Sequence, residues 1–326
     1  MFYDNQGFMN MTTILVTGAI GQIGSELTMA LREKYGEDRV IATDIRTPSD
    51  AALLNSGPFE ILDVLNENHI TRVMQQYRVT AIYHLAAVLS AKGETRPNLA
   101  WRINVGGLYN MLEVARQYKC SLFFPSSIGA FGPSTPKERT PQDTIMRPET
   151  IYGISKLAGE LLCDYYFKRF GIDTRGVRFP GLISYETKPG GGTTDYAVEI
   201  FFEAVKHMKY TCYLKPDCSL DMMYMPDAIK AMMDLMEADA SRLIHRNAFN
   251  VTAMSFTPEI LADEIRKYIP GFVINYKVDP VRQEIADSWP DSMDDSAARS
   301  EWGWKPDYDL EAMTADMIEK INYSSR

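Results

Sequence analysis

The chain has 326 residues, and 34 lysines and arginines against 43 aspartates and glutamates give a formal net charge of −9. A content of 45% hydrophobic and 24% charged residues is typical of a folded protein, which excludes disorder and collagen-like repeats. The acidic balance argues against a nucleic-acid partner, and no apolar run reaches the roughly 18–20 residues of a membrane span. The four cysteines form no Cys-x-x-Cys pair, so we expect free thiols in a soluble intracellular protein, cytoplasmic by default or mitochondrial if eukaryotic.

Residues 1–11 contain one acid and no lysine or arginine. Secretory signals begin with a basic segment and mitochondrial presequences are rich in arginine, so neither is expected here. We expect these residues to be a leader, an alternative start or a cloning remnant, with the fold beginning at residue 12.

From residue 13 onward, short apolar runs alternate with segments of helical periodicity. Strands are predicted at 13–17, 40–44, 59–63, 81–85, 121–125 and 174–179, with helices at 66–77, 101–118 and 153–170. This alternation predicts an α/β fold with a Rossmann-like, doubly wound parallel sheet over residues 12–180. The rhythm changes after Pro180, which predicts a smaller α/β substrate-binding lobe over residues 181–326.

Within this lobe, helices are predicted at 196–208, from 225 onward and at 258–268. The runs 249–253 and 272–278 are predicted as isolated strands. The segment 220–240 is expected to pack back on the first domain.

Three glycines, Gly18, Gly21 and Gly24, lie between the first strand and the first helix. Glycines there let backbone N–H groups approach a pyrophosphate at the helix N-terminus, so the spacing predicts a dinucleotide site. Asp44 ends the second strand 20 residues after Gly24, as expected for a carboxylate that binds the adenosine ribose. A carboxylate at this place favours NAD over NADP, although Arg46 is near enough to accept a 2′-phosphate.

Tyr152 and Lys156 are four residues apart and therefore share one face of a predicted helix. A tyrosine acts as a base near neutral pH only if its pKa falls from about 10, and a lysine ammonium one turn away favours the phenolate. Ser126 and Ser127 end the fifth strand, at the sheet edge where doubly wound folds bind ligands. The three residue types together predict chemistry on an alcohol.

These motifs resemble the extended short-chain dehydrogenase/reductase family, which includes NAD-dependent sugar epimerases and dehydratases. The matching segments are the glycine loop, 84–87 (HLAA), 126–132 (SSIGAFG) and Tyr152-x-x-x-Lys156, and the resemblance covers residues 13–310. It implies that Tyr152 is the general acid/base, that Lys156 is its partner and that Ser127 orients the substrate, with Ser126 as the competing candidate.

The resemblance also implies a set of NAD-binding residues. Asp63, after the third strand, is expected to contact the adenine amino group, or else to be a turn residue. The full expected set is Gly18, Gln22, Ile23, Gly24, Asp44, Arg46, Asp63, Val64, Leu85, Ala86, Ala87, Tyr152, Lys156 and Leu182.

Segments of the second half are similar to the short-chain-type L-threonine 3-dehydrogenases within this family: 178–184, 190–196, 286–290 and 294–299. The implied reaction is NAD-dependent oxidation of the C3 hydroxyl of L-threonine to 2-amino-3-ketobutyrate. Asp195 is expected either to face the substrate ammonium or to cap the next helix, and Trp289 either to close the pocket or to lie in the core. The implied substrate-binding residues are Ser90, Ser127, Tyr152, Gly181, Thr193, Thr194, Asp195 and Trp289.

Two alternative functions remain open on the same scaffold. A nucleotide-sugar epimerase or dehydratase would need arginines in the lobe for the diphosphate, and the arginines there form no evident cluster. A non-catalytic NAD-binding protein would be expected to lack Tyr152 or Lys156.

The family resemblance implies a homodimer through a four-helix interface built from the helices around 101–118 and 153–170. The four histidines show no metal-ligand spacing, so no metal site is expected.

Overall fold

The computed structural model describes residues 12–48, 51–186 and 191–324. The predicted leader at 1–11 and Gly190 of the predicted glycine loop lie outside the described residues. The central sheet has seven strands: β1 (Ile14–Thr17), β2 (Val40–Asp44), β3 (Phe59–Ile61), β4 (Ala81–His84), β5 (Ser121–Ser127), β6 (Thr174–Phe179) and β10 (Phe249–Asn250). All seven are parallel, and they lie in the order β10-β6-β5-β4-β1-β2-β3. This order confirms the predicted doubly wound α/β fold.

Helices cover both faces of the sheet because its strands are apolar on both sides, with β1 fully buried. In chain order they are α1 (Gln22–Tyr35), α2 (Ala51–Asn55), α3 (Glu67–Tyr77), α4 (Ser90–Thr95), α5 (Pro97–Trp101), α6 (Leu108–Tyr118) and α7 (Ile151–Phe170). The 20-residue helix α7 packs on β5 and carries the predicted tyrosine and lysine.

The lobe has its own hydrophobic core and two small sheets. One contains β7 (Gly181–Ile183), β9 (Leu220–Tyr224) and β11 (Met254–Phe256), and the other contains β8 (Lys209–Cys212) and β12 (Val273–Tyr276). Its helices are α8 (Tyr196–His207), α9 (Met225–Glu237), α10 (Pro258–Tyr268), α11 (Pro280–Asp287), α12 (Ser296–Trp302) and α13 (Leu310–Ser324).

Helix α9 packs against α1 and β6 of the larger sheet. Lys34 pairs with Glu237, and the buried Arg175 donates to the backbone carbonyls of Leu235 and Ala238 at 2.6 and 2.8 Å. These contacts tie the end of α9 to the amino-terminal half of β6.

Three segments differ from the sequence prediction. The predicted helix 101–118 contains a π-helical turn at Arg102–Gly107, where Asn104 donates to the Val88 carbonyl and accepts from its N–H. The segments 249–253 and 272–278, predicted as isolated strands, each contain a paired strand: β10 lies on the edge of the central sheet, and β12 pairs with β8. No helix among the described residues is long and apolar enough to cross a membrane.

Candidate active site

The predicted site residues meet at the carboxyl edge of the central sheet, around β1, β4 and β5. A cavity of about 250 Å³ lies between the glycine loop, the end of β5, α7 and the lobe. A second cavity of about 270 Å³ lies over the ends of β1, β2 and β4. Four residues line both cavities, so the two form neighbouring parts of one site: Gly18, Gly21, Leu85 and Ala87.

The glycine loop forms a tight cradle at the N-terminus of α1. Gly18 has φ +71°, and a Cβ there would lie 2.8 Å from the Ala86 nitrogen. A Cβ on Gly24 would lie 2.2 Å from the Gly18 carbonyl oxygen. No side chain caps α1, and Gln22, Ile23 and Gly24 of its first turn line the cavity. Uncapped first-turn N–H groups are suited to bind an anion.

The carboxylate of Asp44 lies at the second cavity, together with Arg46, Asp63 and Val64. Asp44 accepts from the backbone N–H of Ile20 and of Arg46, each at 3.4 Å, which fixes it at the end of β2. Asp63 accepts from the Leu65 N–H at 2.9 Å, so it forms a turn and lines the cavity as well.

Tyr152, Lys156 and Ser127 form one wall of the first cavity. Ser127 lines the cavity beside Tyr152, and its hydroxyl accepts from the Gly129 N–H at 3.1 Å. The Lys156 ammonium lies 5.5 Å from the centre of the Tyr152 ring and donates to the Pro125 carbonyl at 2.6 Å. Burial raises the pKa of Tyr152, which the nearby Ser127 hydroxyl opposes, and burial lowers the pKa of Lys156 to about 8.

The two serines of β5 have different partners. Ser126 is buried and its hydroxyl donates to Glu160, whereas the Ser127 hydroxyl accepts from the Gly129 N–H and lies beside Tyr152 in the cavity wall. Adjacent residues of a strand point to opposite faces, which explains the difference. The geometry therefore favours Ser127 over Ser126 as the hydroxyl that a substrate would meet.

The opposite wall of the cavity comes from the lobe and from the start of α4. Ser90, Gly181, Leu182, Thr193, Thr194 and Trp289 line it. Thr193 is 1% exposed, and its hydroxyl has no hydrogen-bond partner among the described residues. Buried hydroxyls are rarely left unpaired, so this one is available to a bound ligand. Trp289 is 6% exposed and both packs in the lobe core and lines the cavity.

Asp195 lines the same cavity, and its carboxylate binds the loop before it. Its Oδ2 accepts from the N–H groups of Gly191 and Gly192 at 2.8 and 2.6 Å. Asp195 occupies the N-cap position of α8 without a side-chain hydrogen bond to that helix, and its carboxylate instead caps the 3₁₀ turn Thr193–Asp195 that runs into α8. Burial raises the pKa of Asp195, which the two backbone hydrogen bonds oppose.

Two buried polar residues beside this site, Asn104 and His84, make hydrogen bonds that the sequence does not predict. Asn104 donates to the Ser155 hydroxyl, one residue before Lys156, and so links α7 to the loop after β4. His84 hydrogen-bonds to the Thr17 hydroxyl at 2.9 Å, and burial beside the Lys156 charge lowers its pKa to about 3. The histidine is therefore neutral. Only tertiary contacts reveal these links, because the partners are 51 and 67 residues apart.

Comparison with known proteins gives consistent matches over the whole chain. The sequence model of the NAD dependent epimerase/dehydratase family matches residues 14–251. An uncharacterized epimerase/dehydratase of Staphylococcus haemolyticus is 57% identical over 311 residues, which cover 95% of this chain and 98% of that protein.

Two solved structures are similar over nearly their full lengths. The X-ray structure of L-threonine dehydrogenase from Clostridium difficile has a TM-score of 0.95 and 57% identity, and covers 97% of this chain and 99% of its own. A monomeric L-threonine 3-dehydrogenase from a metagenome, in its apo form, has a TM-score of 0.93 and 47% identity, covering 96% of this chain and 100% of its own.

The cofactor of the chain is NAD, and the two cavities fit it. The uncapped first turn of α1 would hold the pyrophosphate, and the Asp44 carboxylate would accept from ribose hydroxyls. Lys156 and Tyr152 lie at the other end of the site, where the nicotinamide half would be held.

We predict that Asp44→Ala lowers the preference for NAD over NADP, because the carboxylate would repel a 2′-phosphate. Each lost interaction of this kind is worth about 1–3 kcal/mol, or roughly a tenfold to hundredfold change in the ratio of dissociation constants. Fluorescence titration with both nucleotides measures this ratio. Asp63→Ala, which removes a second carboxylate from the same cavity, is the matched control and should leave it near the wild-type value. An unchanged ratio in Asp44→Ala would refute the role given to Asp44.

Proposed function

We propose that this chain, which belongs to the NAD dependent epimerase/dehydratase family, oxidises the C3 hydroxyl of L-threonine to give 2-amino-3-ketobutyrate. The chain is an NAD-dependent oxidoreductase with a small-molecule substrate. The observation that carries the choice of substrate is a single cavity that joins Ser127, Tyr152 and Lys156 to the unpaired hydroxyl of Thr193.

In the proposed reaction, Tyr152 is the general base. Its phenolate oxygen takes the proton of the C3 hydroxyl, while the Ser127 hydroxyl hydrogen-bonds to the same substrate oxygen. NAD, when bound, supplies the acceptor for the hydride that leaves C3. The positive charge of the Lys156 ammonium, whose nitrogen lies 5.5 Å from the centre of the Tyr152 ring, stabilises the phenolate.

The lobe side of the cavity suits the two charged groups of a free amino acid. The Thr193 and Thr194 hydroxyls would bind the substrate carboxylate, with Ser90 as a further donor. Asp195 Oδ1 has no hydrogen-bond partner among the described residues, so it would accept from the substrate ammonium while Oδ2 holds the loop. Trp289 and Gly181 would enclose the substrate methyl group.

The alternative functions receive less support from the same cavity. A sugar diphosphate is best bound by arginine forks, and no arginine is among the residues that line the 250 Å³ cavity. A non-catalytic NAD-binding protein gives no reason for the contact of Tyr152 with Ser127 beside Lys156.

We predict that the wild-type protein forms NADH with L-threonine, and that the rate rises with pH as Tyr152 loses its proton. The Tyr152→Phe variant should lose a factor of about 10²–10⁴ in kcat, because the general base is removed. Its dissociation constant for NAD should stay near the wild-type value. NADH absorbance with L-threonine, L-serine, D-threonine and L-allo-threonine, each with NAD and NADP, measures activity and selectivity.

Tyr268→Phe, at a half-exposed tyrosine of α10, is the control and should keep full activity. Turnover of a nucleotide sugar without NADH formation from L-threonine would contradict the proposed substrate. Full activity of Tyr152→Phe would contradict the proposed base.

We further propose that two copies associate through α5, α6 and α7. These helices expose large apolar side chains that a soluble monomer has no need to expose. They are Leu99, Trp101, Tyr109, Ile154, Leu161, Tyr165 and Phe170. Helices α6 and α7 of one copy would pack against α6 and α7 of the other and form the four-helix interface that the family resemblance implies.

We predict a dimer in sedimentation velocity, and a monomer for Leu161→Glu, because Leu161 is 61% exposed in the middle of this face. A buried unpaired carboxylate would oppose association strongly. Ile260→Glu, at an exposed apolar residue of α10, is the control and should leave the dimer intact. A monomeric wild-type protein would contradict the proposed interface.

A further inference from the structure

A buried carboxylate with no role in the mechanism above lies one helical turn after Lys156. Glu160 is 3% exposed, on the face of α7 that packs on β5. Buried carboxylates are retained only when they are paired, so its partners decide what it does.

Three hydrogen-bond donors fix Glu160. The Ser126 hydroxyl donates to Oε1, and Arg178 of β6 donates from Nε to Oε1 at 3.0 Å and from Nη2 to Oε2 at 2.9 Å. Arg178 is itself 6% exposed, and its remaining nitrogen donates to the Gln142 carbonyl and to Asn250 Oδ1. These hydrogen bonds therefore fix the Glu160 carboxylate between α7 and strands β5 and β6.

The Lys156 ammonium has only a few charged or polar neighbours. Its Nζ donates to the Pro125 carbonyl and lies 4.9 Å from the centre of the Phe124 ring. His84 from β4 is neutral, as its low pKa requires. On its own helix Lys156 lies one turn from Tyr152 and one turn from Glu160, whose ion pair is with Arg178 of β6. Burial lowers the pKa of Lys156, and the charge of Glu160 opposes that fall.

We propose that Glu160 is a positioning residue that keeps the Lys156 ammonium charged, and that Ser126 and Arg178 hold its carboxylate in place for this task. The inference rests on the proposed function, in which a charged lysine supports the Tyr152 phenolate. It also gives Ser126 a role distinct from that of Ser127.

The direction in which Glu160→Gln shifts the pH profile follows from the charges near Lys156. Lys156 supports catalysis below its own pKa, and this support is lost as the pH rises through that pKa. Glu160→Gln removes a negative charge and leaves Arg178 unpaired, and both changes lower the pKa of Lys156. The alkaline limb of the pH profile should then move to lower pH, by about 1 unit for the loss of one opposite charge.

The test is the pH dependence of kcat/KM with L-threonine for the wild type and three variants. Glu160→Gln should shift the alkaline limb. Ser126→Ala removes a hydrogen bond that holds Glu160 but no charge, so its limb should move in the same direction as in Glu160→Gln, but by less. Asp173→Asn is the control: it removes a carboxylate that pairs with two buried arginines just before the amino-terminal end of β6, away from Lys156, and should leave the limb in place.

A double variant covers the case in which Glu160→Gln fails to fold. Glu160→Gln with Arg178→Met removes both charges, so no buried charge is left unpaired. The double variant still removes the negative charge next to Lys156, so the alkaline limb of its pH profile should also shift to lower pH. If the alkaline limb of the folded double variant lies at the same pH as in the wild type, the proposal is overturned.

A second measurement separates this inference from the choice of substrate. The dissociation constant for NAD, followed by fluorescence from pH 6 to 10, reports on Lys156 without any substrate. Affinity should begin to fall at lower pH in Glu160→Gln than in the wild type, and loss of affinity at the same pH would overturn the proposal. Absence of wild-type turnover with L-threonine would instead contradict the proposed function alone.

Discussion

The buried ion pair of Glu160 and Arg178 is the interaction on which the geometry of the site depends. Two charges are stable in a core only when their geometry is well matched, and here the guanidinium fork meets both carboxylate oxygens. The pair joins α7 to β6 directly and to β5 through Ser126. Arg178 then reaches Asn250 of β10, which donates to the Asp294 carbonyl close to the segment that carries Trp289. One set of polar contacts thus connects the catalytic helix to the lobe.

The cofactor side of the site depends on close packing rather than on charge. Gly18 adopts a positive φ, and the Ala86 backbone leaves no room for a Cβ there, while Thr17 connects β1 to His84 of β4 by a hydrogen bond. The first turn of α1 is thereby held open toward the cavity without a side-chain cap. Backbone N–H groups at a helix N-terminus can hold an anion without lysine or arginine, so a net charge of −9 is compatible with a dinucleotide cofactor.

Those features that depend on local spacing were predictable from the sequence. The glycine loop with Asp44, and the Tyr152–Lys156 pair on one helix face, each follow from short-range geometry. The choice between Ser126 and Ser127 depends on which face of β5 is turned toward α7, and the sequence of two adjacent serines does not contain that information. Glu160 is spaced four residues from Lys156, a signal that was available, but its partner Arg178 is revealed only by the register of β5 and β6. Strand β10 has two residues, too few to show a periodicity.

In the proposed reaction, hydride leaves C3 of L-threonine while Tyr152 takes the proton of the C3 hydroxyl. Turnover of L-threonine deuterated at C3, with the reduced cofactor analysed by mass spectrometry, measures this transfer. We expect NADH that carries one deuterium, and a lower kcat/KM than with unlabelled L-threonine wherever hydride transfer limits the rate. Reduced cofactor without deuterium would refute C3 as the hydride donor.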